Sequence, residues 1–295
     1  MLWSVPDQRT QKDQNVRKLA FVLALCAWAM PASAQQRPLE TQDPETIGAG
    51  RVLVEGWISA SQDVTFPQYG FKGDLWQLPV LGVNVGLSSI ADLQITGGPY
   101  NYLSITSRDP NAPLAGVVTA TGDSTHSVED IRIGAKIKLV PEGAWRPGVG
   151  FRFSTRLPNA SRKSGIGQDT TDFGASLLFG KTIQSIRVVG NIGWMSMSQP
   201  LDATRQNDVL VYGLSFARAL TNRTEIVGEV FGRASVSEGT APIGTESRGL
   251  LKLGGRFTQG PVRFDAAIFF GLNSVDPTVG FTAGATYVFN AFKLP

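Results

Sequence analysis

The segments VRFDAAIFFG, Val262 to Gly271, and VGFTAGATYVF, Val279 to Phe289, decide the fold. In the first, Val262, Phe264, Ala266, Ile268 and Phe270 alternate with positions that include Arg263 and Asp265. In the second, Val279, Phe281, Ala283, Ala285, Tyr287 and Phe289 alternate with Gly280, Thr282, Gly284 and Thr286. Side chains two residues apart share a face of a strand. Each segment is therefore a strand with one continuous apolar face and one face of polar, charged or small groups. The apolar period of two is not that of a helix.

The same pattern extends back along the chain. In Arg248 to Phe257, Leu251, Leu253 and Phe257 oppose Arg248, Lys252 and Arg256. In Val128 to Leu139, Ile131, Ile133, Ala135, Ile137 and Leu139 oppose Asp130, Arg132, Lys136 and Lys138. Eight further segments, at 51–60, 74–87, 91–104, 147–156, 172–181, 186–197, 209–219 and 225–233, complete a set of twelve. The connections alternate long and short, from 61–73 and 88–90 to 258–261 and 272–278. An even number of strands with two classes of connection is the signature of an up-and-down transmembrane barrel with both termini in the periplasm. A soluble sandwich alternates faces too, but turns its polar faces outward around one apolar core. Here charges share the inferred inner face on strand after strand. A closed ring of strands is also one of two ways to satisfy a backbone in hydrocarbon. The expected fold is all-β, an antiparallel up-and-down barrel.

The N-terminus carries an export pattern. Arg17 and Lys18 precede the apolar run Leu19 to Met30, and Ala32-Ser33-Ala34 follows it. Charged, apolar and small-residue regions in that order form a secretory signal peptide, with cleavage expected after Ala34. The apolar run is too short to span a bilayer as a helix. The organisation expected is a signal peptide over 1–34, a periplasmic lead over 35–50, the barrel over 51–289 and a tail over 290–295. The one cysteine, Cys26, lies inside the signal, so no disulfide or thiolate metal site is expected in the processed chain. Charged residues make up 17% of the chain, below the level of soluble domains, and its net charge of +3 is dispersed rather than gathered into a run. That dispersal argues against nucleic acid as a partner.

Two regions carry a family resemblance. The entry Asp43-Pro44-Glu45-Thr46-Ile47-Gly48-Ala49-Gly50-Arg51 resembles the opening of outer-membrane transporters of the "MetA-pathway of phenol degradation" family. Gly150-Phe151-Arg152 leading to Leu157-Pro158, Asn191-Ile192-Gly193-Trp194, Gly228-Glu229-Val230-Phe231-Gly232 and Phe270-Gly271-Leu272 are similar to its later pattern and follow in the same order. The resemblance spans 43–289. It implies a barrel in the outer membrane of a Gram-negative bacterium that passes small, often aromatic or hydrophobic compounds, and it supplies no catalytic residues. Gly284, Tyr287 and Phe289 are spaced like the C-terminal signal read by the barrel assembly machinery, although residues follow Phe289 where such chains usually stop.

The expected lumen-lining groups are Asp130, Arg132, Lys136, Lys138, Arg152, Arg156, Arg187, Glu225, Glu229, Arg233, Arg248, Lys252, Arg256, Arg263 and Asp265, joined by Glu55, Asp92 and Asp172. Cations outnumber anions among them, and rings of Arg and Lys favour anions in a water-filled pore. The alternative is an interior closed by paired charges, such as Glu225, Glu229 and Arg233 beside Arg248, Lys252 and Arg256. Phe66, Tyr69, Phe71, Tyr100 and Tyr102 are candidates for a loop-side pocket. His126, between Ser124, Thr125 and Ser127, is the candidate base of a lipid-modifying barrel enzyme. Adjacent side chains on an extended strand point to opposite sides, which argues against such a site. No phosphate loop, dinucleotide fingerprint or metal cluster occurs, so no cofactor is expected. The expected function is a passive channel or uptake porin, with outer-membrane lipid around it and a small-molecule solute within. The alternatives are a closed structural or partner-binding barrel and a lipid-modifying enzyme.

Overall fold

The computed structural model of the chain describes residues 37–292; the signal peptide expected over 1–34 lies outside them. Twelve walls form one antiparallel sheet. They are β1 (Arg51–Phe66), β2 (Phe71–Gly86), β3 (Ala91–Gly97, resumed at Asn101–Arg108), β4 (Ser124–Ser127, resumed at Arg132–Val140), β5 (Gly148–Arg156) and β6 (Asp172–Ile183). There follow β7 (Ile186–Gln199), β8 (Asp202–Ala219), β9 (Thr224–Ser235), β10 (Arg248–Gln259), β11 (Val262–Gly271) and β12 (Val279–Asn290). Each wall pairs with the next, and β1 pairs with both β2 and β12, with Arg51 opposite Asn290 and Ser61 opposite Gly280. The sheet closes on itself, which removes the edges an open sheet would present.

The period-two faces fall where the sequence places them. Phe281 is 44% exposed on the outside of β12, while Thr282 is 3% exposed inside. On β11, Phe264, Ile268 and Phe270 face out and Asp265 and Phe269 face in. Outward aromatics gather near the end that holds the termini (Phe257, Phe264, Tyr287, Phe289) and again further along the walls (Trp76, Phe153, Phe173, Trp194, Phe281), with Leu81, Leu177, Ile192, Leu214 and Leu253 among the aliphatics exposed between. An apolar band between two aromatic girdles matches a bilayer core and its two interfaces.

Several boundaries differ from expectation, for physical reasons. β1 and β2 run on to a tight turn at 67–70, and β7 and β8 to one at 200–201, where long loops are expected. In β1 a bulge between Ser61 and Val64, with Asp63 at φ 59°, interrupts the period of two. In β8 the extension DATRQND carries no apolar face, because a strand beyond the bilayer needs none. β3 and β4 each break, at 98–100 and 128–131. Asn290 belongs to β12 rather than to the tail, and the backbone N–H groups of Ala291 and Phe292 bond Gly50 O at 2.9 and 3.2 Å.

At the end opposite the termini, loops 109–123 and 157–171 pack over the barrel rim. Tyr69 is buried in the 67–70 turn and donates its hydroxyl to Gly167 O. Burial pushes that hydroxyl up to about 12, so it stays a donor. Gly70 holds φ +71° with Asp109 O lying 2.3 Å from where a Cβ would sit, so both its conformation and its neighbour demand glycine. Tyr69 and Phe71 are thus loop packing rather than a pocket lining, and Tyr100 stacks on His126 at 5.7 Å.

Candidate functional site: a clasped lead and the cavity above it

Inward-facing charges on a barrel wall need partners or water. Here much of the partnership comes from the segment preceding β1. Sequence analysis places residues 35–50 outside the barrel as a periplasmic lead. The hydrogen bonds instead set Arg37–Ile47 against the inner wall. Arg37 forms an ion pair with Asp265 on β11 at 3.0 Å and donates to Thr282 on β12. Its carbonyl accepts from Arg256 at 2.6 Å, and Pro38 O accepts from Lys252 at 2.8 Å, both on β10. Glu229 on β9 accepts from the backbone of Glu40 and Thr41 and from the Thr41 hydroxyl, at 2.7–2.9 Å. The Asn191 amide on β7 both donates to and accepts from the Gln42 backbone. Asp43 pairs with Arg187, also on β7, at 2.7 Å. Lys136 and Lys138 on β4 hold Glu45, the first through its carbonyl and the second through its carboxylate. Asp92 on β3 accepts from Ile47 N–H. The lead thus meets the walls in descending order, β12 to β3, and circles the bore before entering β1. At Gly86 the lead passes so close that a Cβ would meet Gly48 O at 1.8 Å.

The expected pairing of β9 with β10 is present at two of its three positions, while at the third Arg233 stands opposite Arg248, two like charges. Arg256 bonds Glu225 at 3.3 Å, and Lys252 lies 3.5 Å from Glu229. Arg156 forms an ion pair with Asp172, and Asp130 accepts from the backbone of Asn159 and Ala160. Arg263 donates to Thr258 Oγ1 at 3.3 Å, near the termini end. The wall's cationic excess, legible in the sequence, is thus answered partly by the lead's Glu40, Asp43 and Glu45. That complementarity is the sequence signal that locates the lead.

Beyond the lead, toward the loop end, a cavity of about 430 Å³ remains in the bore. Glu40, Thr41 and Gln42 line it from the lead. Of the expected lumen-lining residues, Arg132, Arg152, Arg156, Arg233 and Arg248 line it. Lys136, Lys138, Arg187, Lys252, Arg256 and Asp265 hold the lead instead. Asp172, Asp276, Tyr212, Phe231 and Leu178 also face the cavity.

At the termini end, the 141–147 turn joins this network. Glu142 bonds Arg187, accepts from Thr182 N–H at 2.7 Å and lies 3.5 Å from Lys181. Burial alone would raise its carboxyl, but the Thr182 and Arg187 bonds outweigh burial and hold it below the ordinary carboxylate range. A lowered folded-state pKa stabilises above the unfolded value and loses that contribution as pH falls through the folded one. Protection of the 141–147 amides, relative to intrinsic exchange at each pH, should therefore be present at neutral pH and be lost as pH falls through the lowered carboxyl range. E142Q should lack that protection at neutral pH; equal protection of the two proteins there would show that the Glu142 carboxylate does not hold the turn.

His126 stacks on Tyr100, and among the described residues its imidazole has no hydrogen bond or ion pair. No group of ligands able to hold a metal occurs among the described residues. Tyr287 and Phe289 stack on one another at 5.6 Å on the outer face, and Gly284 faces inward, where a Cβ would lie 3.1 Å from Arg37 Nε.

No family model matches the sequence, and a search of curated proteins found no match. Among solved structures the chain is similar to the COG4313 outer membrane channel from Pseudomonas putida F1. Identity is 12%, coverage 84% of this chain and 98% of that one, and the TM-score 0.59. The KdgM porin in complex with disordered oligogalacturonate shares 8% identity over 80% of this chain and 99% of that one, at 0.49. The translocator domain of the autotransporter NalP from Neisseria meningitidis shares 14% over 82% and 89%, at 0.47. At these identities the likeness speaks for the fold.

Proposed function

We propose that this chain is a passive channel of the bacterial outer membrane for small organic molecules, with the lead as a constriction in its bore. The observation that carries this reading is the closed barrel with an apolar exterior and a polar interior that is only partly filled. A purely structural barrel gains nothing from a cavity of about 430 Å³ lined by arginines inside its wall. The chemistry of the walls suits a location in lipid, because each wall pairs with both of its neighbours around the ring and the outward side chains are apolar. The resemblance of the lead and of Gly228-Glu229-Val230-Phe231-Gly232 to the phenol-degradation transporters supports the finer assignment, as does the barrel shared with an outer membrane channel. The C-terminal Gly284, Tyr287 and Phe289 would be the signal for the barrel assembly machinery. An enzyme reading has no support in the surroundings of His126.

Refolded protein in a planar bilayer should give discrete current steps with a preference for anions. R132Q/R152Q should move the reversal potential toward cations, since both guanidinium groups line the cavity. A membrane without steps would remove the channel reading, and an unmoved potential would place the current elsewhere.

A further inference from the structure

The charges around the cavity are unequally committed. Its three carboxylates are engaged within the protein. Asp172 is paired with Arg156 and accepts from Ser198 N–H. Asp276 accepts from Gly249 N–H, Asn273 N–H and the Asn273 amide at 2.8–3.0 Å. Glu40 bonds Lys252 at 3.2 Å. Four of the five arginines form no ion pair with a carboxylate among the described residues. Arg152 donates Nε to Gln94 and lies over Gly134, whose lack of a side chain gives it room. Arg233 donates to the carbonyls of Glu246 and Gly244, and Arg248 to that of Thr65. Arg132 is exposed within the cavity and has no hydrogen bond or ion pair among the described residues.

These arginines are close enough to feel one another's charge, Arg132 with Arg152 and Arg156, and Arg233 with Arg156 and Arg248, while Glu40 offsets part of it at Arg132 and Arg152 and Glu246 and Asp172 at Arg233. Clustered like charges in a confined bore are unfavourable unless an anion joins them, and the low local dielectric strengthens both the repulsion and its relief. The uncharged lining is mixed: polar groups such as Ser154, Ser176 and Asn191 stand beside the apolar side chains of Phe231, Leu178, Met195 and Leu250. A guanidinium binds a carboxylate through two parallel hydrogen bonds, whereas an apolar wall rewards a ring or branched chain.

We propose that this cavity is a binding site for an aromatic carboxylate, held by Arg132 with Arg152 at its charged end and by Phe231 and Leu178 along its ring. The assignment rests on the channel reading and names the solute class it passes. A neutral hydrocarbon would leave Arg132 without an ion pair, and a bare inorganic anion would leave Phe231 and Leu178 without a partner.

The test uses the mature protein refolded in detergent, with 2-naphthoate as the probe and calorimetric titration as the readout. Naphthoate should bind at one site. R132Q should weaken it about tenfold or more, the loss expected for a hydrogen bond to a charged group, and R132K should recover part of the affinity. Folding of each variant is checked by its heat-dependent mobility shift. Equal binding of neutral 2-naphthamide would overturn the charged half of the site, and displacement by equimolar acetate the apolar half. Naphthoate affinity unchanged in both R132Q and R152Q, or no binding at all, would sink the assignment. Conductance is measured on the same preparations. Current without naphthoate binding defeats the site and leaves the channel, whereas binding without current defeats the channel reading and leaves the cavity as a binding pocket.

Discussion

Deleting Arg37–Ile47 should raise single-channel conductance severalfold while the barrel still folds. The lead circles the bore and accounts for the bonds of Lys252, Glu229, Lys136, Asp92 and Asn191 toward the axis. Without it those groups face a lumen wide enough for water, which solvates them, so they lose a partner but not their solvation. The wall-to-wall hydrogen bonds of the ring are untouched by the deletion. The expected record is therefore larger and less noisy steps, from protein that still shows the mobility shift of a closed barrel. A reversible version avoids truncation. An ideal Cβ on Gly213 would lie 3.6 Å from Thr41 Cβ, inside the range of disulfides. T41C/G213C oxidised in the folded state should hold the small conductance steadily, and reduction should restore ordinary fluctuation. Equal conductance with the lead intact, deleted or locked would mean that current does not pass the lead.

Most of the barrel was legible from period-two alternation, because lipid on one side and polar groups on the other impose that period on every wall. The reading weakened where that physical contrast ends. The outer part of β8 is polar on both faces, so nothing in DATRQND marks it as strand. Asp63, in the left-handed region, shifts the register of β1 and erases its alternation for two residues. The period of two puts the wall charges on one face, but it does not reach the partners that the lead supplies. A strand neighbour is readable from register, as Glu225 with Arg256 shows. A partner such as Asp43 for Arg187 lies outside the sheet and leaves no periodic trace. What the sequence did contain was an imbalance: more cations than anions on the inner face, and Glu40, Asp43 and Glu45 in a lead with no apolar face of its own. The division of the arginines into those that clasp the lead and those that line a cavity needed coordinates, since Arg152 and Arg256 are indistinguishable by pattern.

Lys136→Met should be the most damaging single substitution of the inner wall. Lys136 is 1% exposed. Its Nζ donates to Asp43 O at 3.1 Å and Glu45 O at 2.6 Å, and lies 3.7 Å from Asp92 Oδ2. Methionine fills most of the volume but leaves two carbonyls without a donor and the buried Asp92 carboxylate without its nearest cation. Breaking a buried pair from one side costs about 3–5 kcal/mol, because the remaining charge stays desolvated. The lower end is expected here, since Asp92 keeps the Ile47 N–H. Removing both charges in K136M/D92N should cost less than K136M alone, an inequality that simple loss of packing does not produce. Denaturant titration in micelles, followed by the mobility shift, measures all three proteins against the parent. A K136M loss below about 1 kcal/mol, in the range of an exposed pair, would show that water already reaches this site. A double variant worse than the single would show that Asp92 acts through its bond to the lead and not through Lys136.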